Sequence, residues 1–419
     1  MKHPLDNQYS TMKKQANVTS STMVWTFVVL IFLMNLVNYI DRVVISFAIE
    51  PIRRDFGIDN AQFGLAMTLF AAGAIVVNLI SGILLDRFGV KIVWMIGLAI
   101  WTTAMFMLGM VEYWWLFLVF RVILGLGEGV NFPAMNRAIS DWVPPHHSSK
   151  VAAVCLIGVP GAFLLGGPLF GFLIENAGWR DTFMLLSGVS LVLLVALFFL
   201  YRNPGKNRDH GQQDMTGWLQ LLKNPTLLAT SWSFFAFGAI LYFGLTWIPG
   251  YFEQTFNLKL SEIGWFTTLP WGLAIILMQL VAWWSDALHR QTGNTRTSRV
   301  YFIIVFQLLA AACFVPLIFV ETATWAIAWL TLGIGCSMAP NAPYYSILTD
   351  LFGSRSGAAT GVMVTFFSAS GFLLPVTIGL LTEQNGNFDS AFLLIAAIVG
   401  SGSLGMFLFA RQQADSAVA

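Results

Sequence analysis

Long apolar stretches recur along the whole chain and are separated by short polar segments. Each is long enough for an α-helix to cross roughly 30 Å of hydrocarbon, which takes about 20 residues. The pattern predicts twelve membrane-spanning helices, at about residues 22–50, 60–86, 90–110, 113–142, 148–175, 179–202, 225–253, 261–287, 298–320, 324–351, 356–382 and 387–410. We therefore expect an all-α polytopic membrane protein.

Two polar stretches organise these spans. Residues 1–21 are polar, and the apolar run that follows is too long for a cleaved signal peptide and fits a first span. Residues 203–224 form the longest later polar stretch and leave six spans on each side. We predict an N-terminal tail at 1–21, an N-terminal half at 22–202, a linker at 203–224, a C-terminal half at 225–411 and a C-terminal tail at 412–419. Carriers that work by alternating access are built from two such repeats around a midplane site.

Positive charges between the predicted spans are unevenly distributed. Of the 22 lysines and arginines, 15 fall in segments on the N-terminal side of the membrane, four on the opposite side and three within spans. Cytoplasmic loops carry the excess of such charges. Both termini and the linker are therefore expected in the cytoplasm.

Composition argues against several classes of function. The chain is 57% hydrophobic and 10% charged, whereas soluble domains carry roughly 25% charged residues. A net charge of +1 gives no basic surface for nucleic acid. The cysteines and histidines show no metal-ligand spacing, and neither a nucleophile–base arrangement nor a phosphate-binding glycine loop occurs. We expect no enzyme activity, no cofactor and no metal.

Five charged residues fall in the N-terminal spans: Asp41, Arg42, Arg121 and Glu128 lie inside, and Arg137 lies closer to the cytoplasmic end. A charged side chain at the bilayer centre costs about 2.5–3.5 kcal/mol on insertion scales, so such residues are rare and usually functional. Three arginines against two acids leave one positive charge, which favours an anion site. If water solvates Arg137, the sum is zero until an acid takes up a proton. A purely structural, self-neutralising network is the alternative.

Each of these side chains has a chemistry that suggests a role. Arg42 offers two parallel donors to a substrate carboxylate, Arg121 is a second cation for the anion, and Tyr39 lies one turn away with a hydroxyl, unless it is only a packing aromatic. Asp41 and Glu128 are the candidate proton carriers, because a neighbouring arginine and burial act in opposite directions on their protonation. Alternatively, Glu128 forms only a structural bridge with Arg121, seven residues earlier.

Several motifs resemble those of a known transporter family. The segment Gly82-x-x-x-Asp86-Arg87-x-Gly89-x-Lys91 is similar to the signature loop of the major facilitator superfamily. Asn38-Tyr39-Ile40-Asp41-Arg42, together with Gly127-Glu128-Gly129-Val130-Asn131-Phe132-Pro133, resembles the anion:cation symporter family. That family includes bacterial carriers of galactonate, hexuronates and glucarate, and is similar to vesicular glutamate and sialic acid carriers.

The resemblance implies a major facilitator fold and proton-coupled symport of a small organic anion, with protons as the second solute. It also implies a monomer in the lipid bilayer of a bacterial cytoplasmic (inner) membrane. It assigns the substrate to Arg42, and the protons to Asp41 and Glu128. Further substrate-binding candidates are Asn131, Trp247 and Tyr345.

Charges in the interhelical loops suggest a gate. The resemblance gives Asp86, Arg87 and Lys91 a gating role, which we extend to Asp286 because it follows span eight as Asp86 follows span two. A merely solvated, positively charged loop is the other reading of this segment.

Two positions depart from the sugar-acid carriers. The chain has Val159 and Val364 where those carriers usually have amides. A site for hydroxyl groups discriminates through such partners, so we expect a less hydroxylated substrate, such as an aromatic or short aliphatic carboxylate. Span five also has a Gly/Pro pattern similar to that of antiporters. An exchanger or exporter of metabolites or drugs on the same fold therefore stays open.

Overall fold

The structure is a computed structural model that describes residues 21–142, 155, 158–201, 223–352 and 356–410. Its α-helices are α1 Ser21–Phe47, α2 Ile49–Phe56, α3 Asn60–Phe88, α4 Val90–Met110, α5 Trp114–Glu128, α6 Asn131–Trp142, α7 Gly158–Leu200, α8 Pro225–Thr246, α9 Ile248–Phe256, α10 Leu260–Thr292, α11 Tyr301–Phe314, α12 Ala323–Met338, α13 Asn341–Phe352, α14 Ser356–Asn385 and α15 Asp389–Phe409. A π-helical turn, Arg296–Val300, precedes α11, and a 3₁₀ turn, Pro316–Phe319, follows it. The predicted tails and linker lie almost wholly outside the described residues, so their bounds stay predictions.

Eleven helical stretches in this part of the chain are long and apolar enough to cross a membrane. One of them, α7, reverses direction at Gly178, whose backbone has φ 83°. Glycine adopts that conformation without the steric cost that a Cβ would bring. The helix therefore makes two crossings, the fifth and the sixth, and the prediction of twelve crossings is confirmed.

Four crossings are interrupted where continuous spans were predicted. The first and seventh break at Ala48 and Trp247, and the fourth and tenth break just before Asn131 and Asn341. The break in the tenth contains Pro340, which cannot donate a backbone hydrogen bond. Each interruption in the N-terminal half recurs six crossings later, as expected of two structural repeats.

Helix packing follows the same repeat. Crossing one packs on five, two on four, and three on four and six; in the C-terminal half, seven packs on eleven, eight on ten, and nine on ten and twelve. The halves meet mainly where crossing two packs on eleven and crossing five on eight. The predicted architecture of two six-helix halves is confirmed.

The two halves touch closely at one end of the bundle. A Cβ added at Gly167 would lie 2.5 Å from the carbonyl oxygen of Gly264, and one at Gly64 would lie 2.5 Å from that of Pro375. Small residues allow such backbone approach. Between these helices, the Thr68 hydroxyl donates to the carbonyl of Phe372 at 2.8 Å.

Polar contacts add to this closure. Gln254 in α9 donates to Glu50 at 2.8 Å, and Arg54 approaches Glu253 to 3.5 Å. Within the described ranges, every side-chain hydrogen bond and ion pair that joins the halves lies at the end opposite Ser21 and Ala410. We refer to this end as the closed end, and to the other as the terminal end.

Candidate functional site

Arg42 lies on α1, and only one nitrogen of its guanidinium is hydrogen-bonded to the described residues. Its Nε donates to Glu128 Oε2 at 2.9 Å, and Asn38 Nδ2 donates to the same oxygen at 3.2 Å. The Arg42 side chain is 16% exposed, whereas that of Glu128 is fully buried. Across the described ranges Arg42 makes no other hydrogen bond, so its two terminal nitrogens are available to a ligand.

Glycines on α5 bring Glu128 to this position. A Cβ at Gly125 would lie 2.0 Å from the carbonyl oxygen of Phe70 on α3, and one at Gly127 would lie 2.6 Å from the backbone nitrogen of Trp101 on α4. Only glycine permits helices to approach this closely. Helix α5 ends at Glu128, so the carboxylate is held at the break in the fourth crossing and faces α1.

Phe70 lies between two guanidinium groups. Its ring centroid is 5.1 Å from Cζ of Arg42 and 4.6 Å from Cζ of Arg121, which are cation–π distances. Arg121 is buried and donates to the carbonyl of Ala66 at 3.3 Å and to the sulfur of Met67 at 3.3 Å. In the described chain no carboxylate lies within ion-pair distance of Arg121. The alternative of an Arg121–Glu128 bridge is therefore wrong, because Glu128 pairs with Arg42.

Asp41 is buried beside this pair without a cation of its own. The indole Nε1 of Trp101 donates to Asp41 Oδ2, and Asp41 Oδ1 has no hydrogen-bond partner among the described residues. Neither is there an ion pair to Asp41 in that part of the chain. A buried carboxyl with a single donor is costly in its charged form.

The position of Arg137 decides the charge balance. Arg137 approaches Asp141 to 3.3 Å on α6, toward the terminal end and apart from Arg42. The other four of the five charged residues predicted within the spans are Arg42, Arg121, Asp41 and Glu128, which we call the charge cluster. With both acids ionised the charge cluster sums to zero, as in the reading that sets Arg137 apart from the site. One proton raises the sum to +1.

Aromatic side chains connect the charge cluster to the C-terminal half. Arg42 lies over the ring of Tyr39, with Cζ 4.9 Å from the centroid. Tyr39 contacts Phe163 at 6.0 Å between centroids, and Phe163 stacks on Trp271 of α10 at 3.9 Å. Tyr242 of α8 also lies close enough to Arg42 for an electrostatic interaction.

The predicted Tyr345 belongs to the same region. This residue of α13 is 40% exposed and lies near Tyr39. The structure thus brings Arg42, Tyr39 and Tyr345 together from the two halves. Their roles as substrate contacts stay predictions.

Two other predicted contact residues lie elsewhere. Asn131 donates to Asn35 at 2.7 Å and accepts from Trp94 at 3.1 Å, in a buried network inside the N-terminal half. Trp247 is fully buried, with its ring between those of Phe63 and Phe388. Both residues pack inside the protein in this conformation, and their roles as substrate contacts stay predictions.

The predicted gating residues lie at the terminal end. Arg87 is exposed over the ring of Phe88, and Lys91 donates to the carbonyl of Phe198 at 2.7 Å. Asp286 pairs with Arg299 at 2.5 Å. Asp86 lies in α3, but its side chain is outside the described part of the structure. Gating by these residues stays a prediction.

Sequence reasoning did not single out Phe70 or Trp101. The chain contains 36 phenylalanines and 16 tryptophans, and no local motif marks the two that contact the charge cluster. Spacing along one helix predicts neighbours on that helix only. The contacts of Phe70 and Trp101 depend on packing between crossings. No group of acidic, cysteine or histidine side chains in the described ranges is placed to hold a metal ion.

Comparison with known proteins agrees with this architecture. Residues 31–375 match the family model described as Major Facilitator Superfamily. The chain is 30% identical to a probable sulfoacetate transporter of Cupriavidus necator, over 89% of this chain and 90% of the relative, and 25% identical to the hexuronate transporter of Bacillus subtilis, over 92% and 94%. The crystal structure of a D-xylose–proton symporter superposes with a TM-score of 0.75 at 13% identity, over 93% of this chain and 98% of that one. The protein is thus a multi-pass integral membrane protein that belongs to the Major Facilitator Superfamily, and its relatives are those of the anion:cation symporter group.

Proposed function

We propose that this transporter carries a small organic anion together with a proton, by alternating access of the site at Arg42. The main support for the proposal is that the terminal nitrogens of the Arg42 guanidinium are free to bind a ligand. Its Nε is bound to Glu128, its side chain is partly exposed, and its terminal nitrogens make no hydrogen bond within the described residues. A carboxylate or sulfonate would accept two parallel hydrogen bonds from them.

The names of the relatives support an anionic solute. The sulfoacetate and hexuronate transporters carry anions by name, and their similarity to this chain spans nearly the full length of each. The distribution of charge in the C-terminal half also supports an anion site in the N-terminal half. Its charged residues lie near the ends of its described helices, so the charge cluster is where an anion finds a counter-charge in the middle of the membrane.

The charge balance supports coupling to a proton. With both acids ionised, the charge cluster is neutral, and a bound monoanion would leave one negative charge in an apolar environment. A proton on Asp41 or Glu128 restores neutrality. Asp41 suits this role because, among the described residues, only the Trp101 indole donates to it and no cation pairs with it. Glu128 couples the two solutes, because it shares the Arg42 guanidinium with the anion.

Alternating access follows from the contacts at the closed end. With both termini in the cytoplasm, as the distribution of positive charge predicts, the closed end faces the outside and the site opens inward. The terminal end would close in the opposite state. Arg87, Lys91 and Asp286 lie there, as does the backbone of Asp86 in α3. The direction of transport, import by symport or export by exchange, then depends on which way the proton moves.

Binding in detergent tests the site directly. We would measure the thermal unfolding of the purified full chain with sulfoacetate, glucuronate, gluconate and phenylacetate, because a bound ligand stabilises the folded state by mass action. At least one anion should raise the melting temperature, and Arg42→Lys should reduce that shift, because lysine cannot bind Glu128 and two ligand oxygens in the same geometry. The proposal fails if no anion stabilises the wild type, or if Arg42→Lys responds as the wild type does.

A further inference from the structure

We propose that the preferred substrate is an amphipathic anion with a planar aromatic body, whose acidic group binds Arg42 while its ring lies against the aromatic side chains beside it. This inference rests on the proposed function, since it names the class of anion. We call these side chains the aromatic wall; its members are Tyr39, Phe163, Tyr242, Trp271, Tyr345 and Phe367.

The aromatic wall surrounds the ligand side of Arg42 from both halves. On the N-terminal side, Tyr39 lies against the guanidinium at 4.9 Å and leads to Phe163. On the C-terminal side, Tyr242 lies near Arg42 and packs on Phe367 at 5.3 Å between centroids. A ligand held by the terminal nitrogens of Arg42 would therefore meet rings in several directions.

Three of the six rings are partly exposed, whereas Tyr39, Phe163 and Trp271 are buried. Tyr345 is 40% exposed, and Tyr242 and Phe367 are half-buried. Phe234 links Tyr345 to Phe367, at 5.9 Å and 5.4 Å between centroids, so these rings are held in place rather than free to turn away. A flat ligand ring could pack against such a fixed surface with offset or edge-to-face geometry.

The aromatic wall offers few hydrogen-bonding groups to a ligand. Among the described residues, the hydroxyls of Tyr39, Tyr242 and Tyr345 make no hydrogen bond, so they can donate to the acidic group or to one ring substituent. Two nearby hydroxyls on α14 already donate within their own helix: Thr365 to the carbonyl of Gly361 at 2.8 Å and Ser370 to that of Phe367 at 2.6 Å.

A polyhydroxylated body would fit this surface poorly. Each of its hydroxyls would leave water and would need a hydrogen-bond partner in the site. The aromatic wall offers carbon surface instead, and aromatic pairs gain roughly three- to tenfold in affinity beyond their buried area. A ring-bearing anion is therefore favoured over a sugar acid.

Three probes that differ only in their body test the inference. Phenylacetate carries an aromatic ring, cyclohexylacetate carries a saturated ring of similar size, and gluconate carries a hydroxylated chain. We would titrate each into the purified full chain and follow thermal unfolding. Phenylacetate should bind roughly three- to tenfold more tightly than cyclohexylacetate, and gluconate should bind most weakly.

Substitutions in the aromatic wall should remove the preference but keep the acidic-group contact. Phe367→Leu and, separately, Tyr345→Leu should make phenylacetate and cyclohexylacetate bind alike, with both still weakened by Arg42→Lys. Phe319→Leu is the matched control, since that ring is 79% exposed and lies in the 3₁₀ turn after α11. It should leave the order of affinities unchanged. Unfolding without ligand identifies a variant that fails to fold, and Tyr345→Leu then decides, because its ring is already partly exposed.

The outcomes separate the two proposals. If gluconate binds best and depends on Arg42, or if phenylacetate keeps its advantage in a folded wall variant, the aromatic inference is overturned while the anion site stands. If no probe binds in an Arg42-dependent way, the proposed function itself has failed.

Discussion

Replacing Glu128 by glutamine should separate anion binding from proton coupling. The amide oxygen of Glu128→Gln can still accept from Arg42 Nε, which lies 2.9 Å from Oε2 in the native pair, so the local geometry is preserved while the negative charge is removed. A ligand acid on the other nitrogens of the same guanidinium would lie about 6 Å from Glu128. Two unit charges at that distance repel by about 3 kcal/mol at an effective dielectric constant of 20. This corresponds to roughly a hundredfold in affinity.

We therefore expect Glu128→Gln to bind the anion 10- to 100-fold more tightly in detergent and to keep exchange of labelled for unlabelled anion in proteoliposomes. Accumulation driven by an inward proton gradient should be lost. Glu112→Gln is the matched control, because Glu112 is exposed in the turn between α4 and α5, and it should behave as the wild type. A Glu128→Gln protein that still accumulates anion fully, or binds it more weakly than the wild type, refutes the reasoning.

Three further changes test other parts of the structure. Gly167→Val should hold the closed end open, because a Cβ there meets the Gly264 carbonyl at 2.5 Å. Cysteine labelling at the closed end should increase and uptake should fall at least tenfold. Unchanged labelling would contradict the close approach of the two helices. Glu253, in α9 after the apolar stretch Pro225–Thr246 that crosses the membrane, has a pKa raised to about 7 by burial and by the nearby Glu50 carboxylate, against the opposing Arg54 and Arg53. Protonation of Glu253 therefore favours the closed end, and closure should weaken as the pH rises through about 7. Glu253→Gln should make cysteine labelling at this end independent of pH between 5 and 8. A pH dependence equal to the wild type's would show that Glu253 is not the titrating group. Phe70→Leu removes the ring between Arg42 and Arg121, where a desolvated cation–π contact contributes about 2 kcal/mol. Anion affinity should fall roughly tenfold, and Phe70→Tyr should restore it. Unchanged affinity in Phe70→Leu would show that the ring does not position Arg42.

The twelve crossings and their division into halves could be predicted because length and apolarity alone determine them. The positions of Arg42 and Glu128 within spans were predicted for the same reason, since a buried charge is conspicuous in an apolar run. The interruptions at Ala48 and Trp247 carry no comparable signal. Their effect is to end helices near the closed end, which a continuous pattern of apolar residues does not reveal.

The partners of the charged residues could not be predicted from spacing. The interval of seven residues relates Glu128 to Arg121 along α5, yet the structure pairs Glu128 with Arg42 of α1. Cross-helix pairing depends on how closely α5 approaches α3 and α4, which Gly125 and Gly127 determine through backbone contact. Which helices those glycines bring together is a property of the folded bundle.

The central claim is that an anion crosses at Arg42 with a proton carried by the adjacent acids. Its most direct test is the pH inside proteoliposomes, followed with an entrapped dye while sulfoacetate or glucuronate, which stay ionised and do not leak, enter down their gradients. We expect the lumen to acidify as the anion enters, with about one proton for each negative charge that the anion carries into the charge cluster. Asp41→Asn should abolish the acidification while exchange of labelled for unlabelled anion continues. Anion entry without acidification, or with alkalinisation of the lumen, would contradict it.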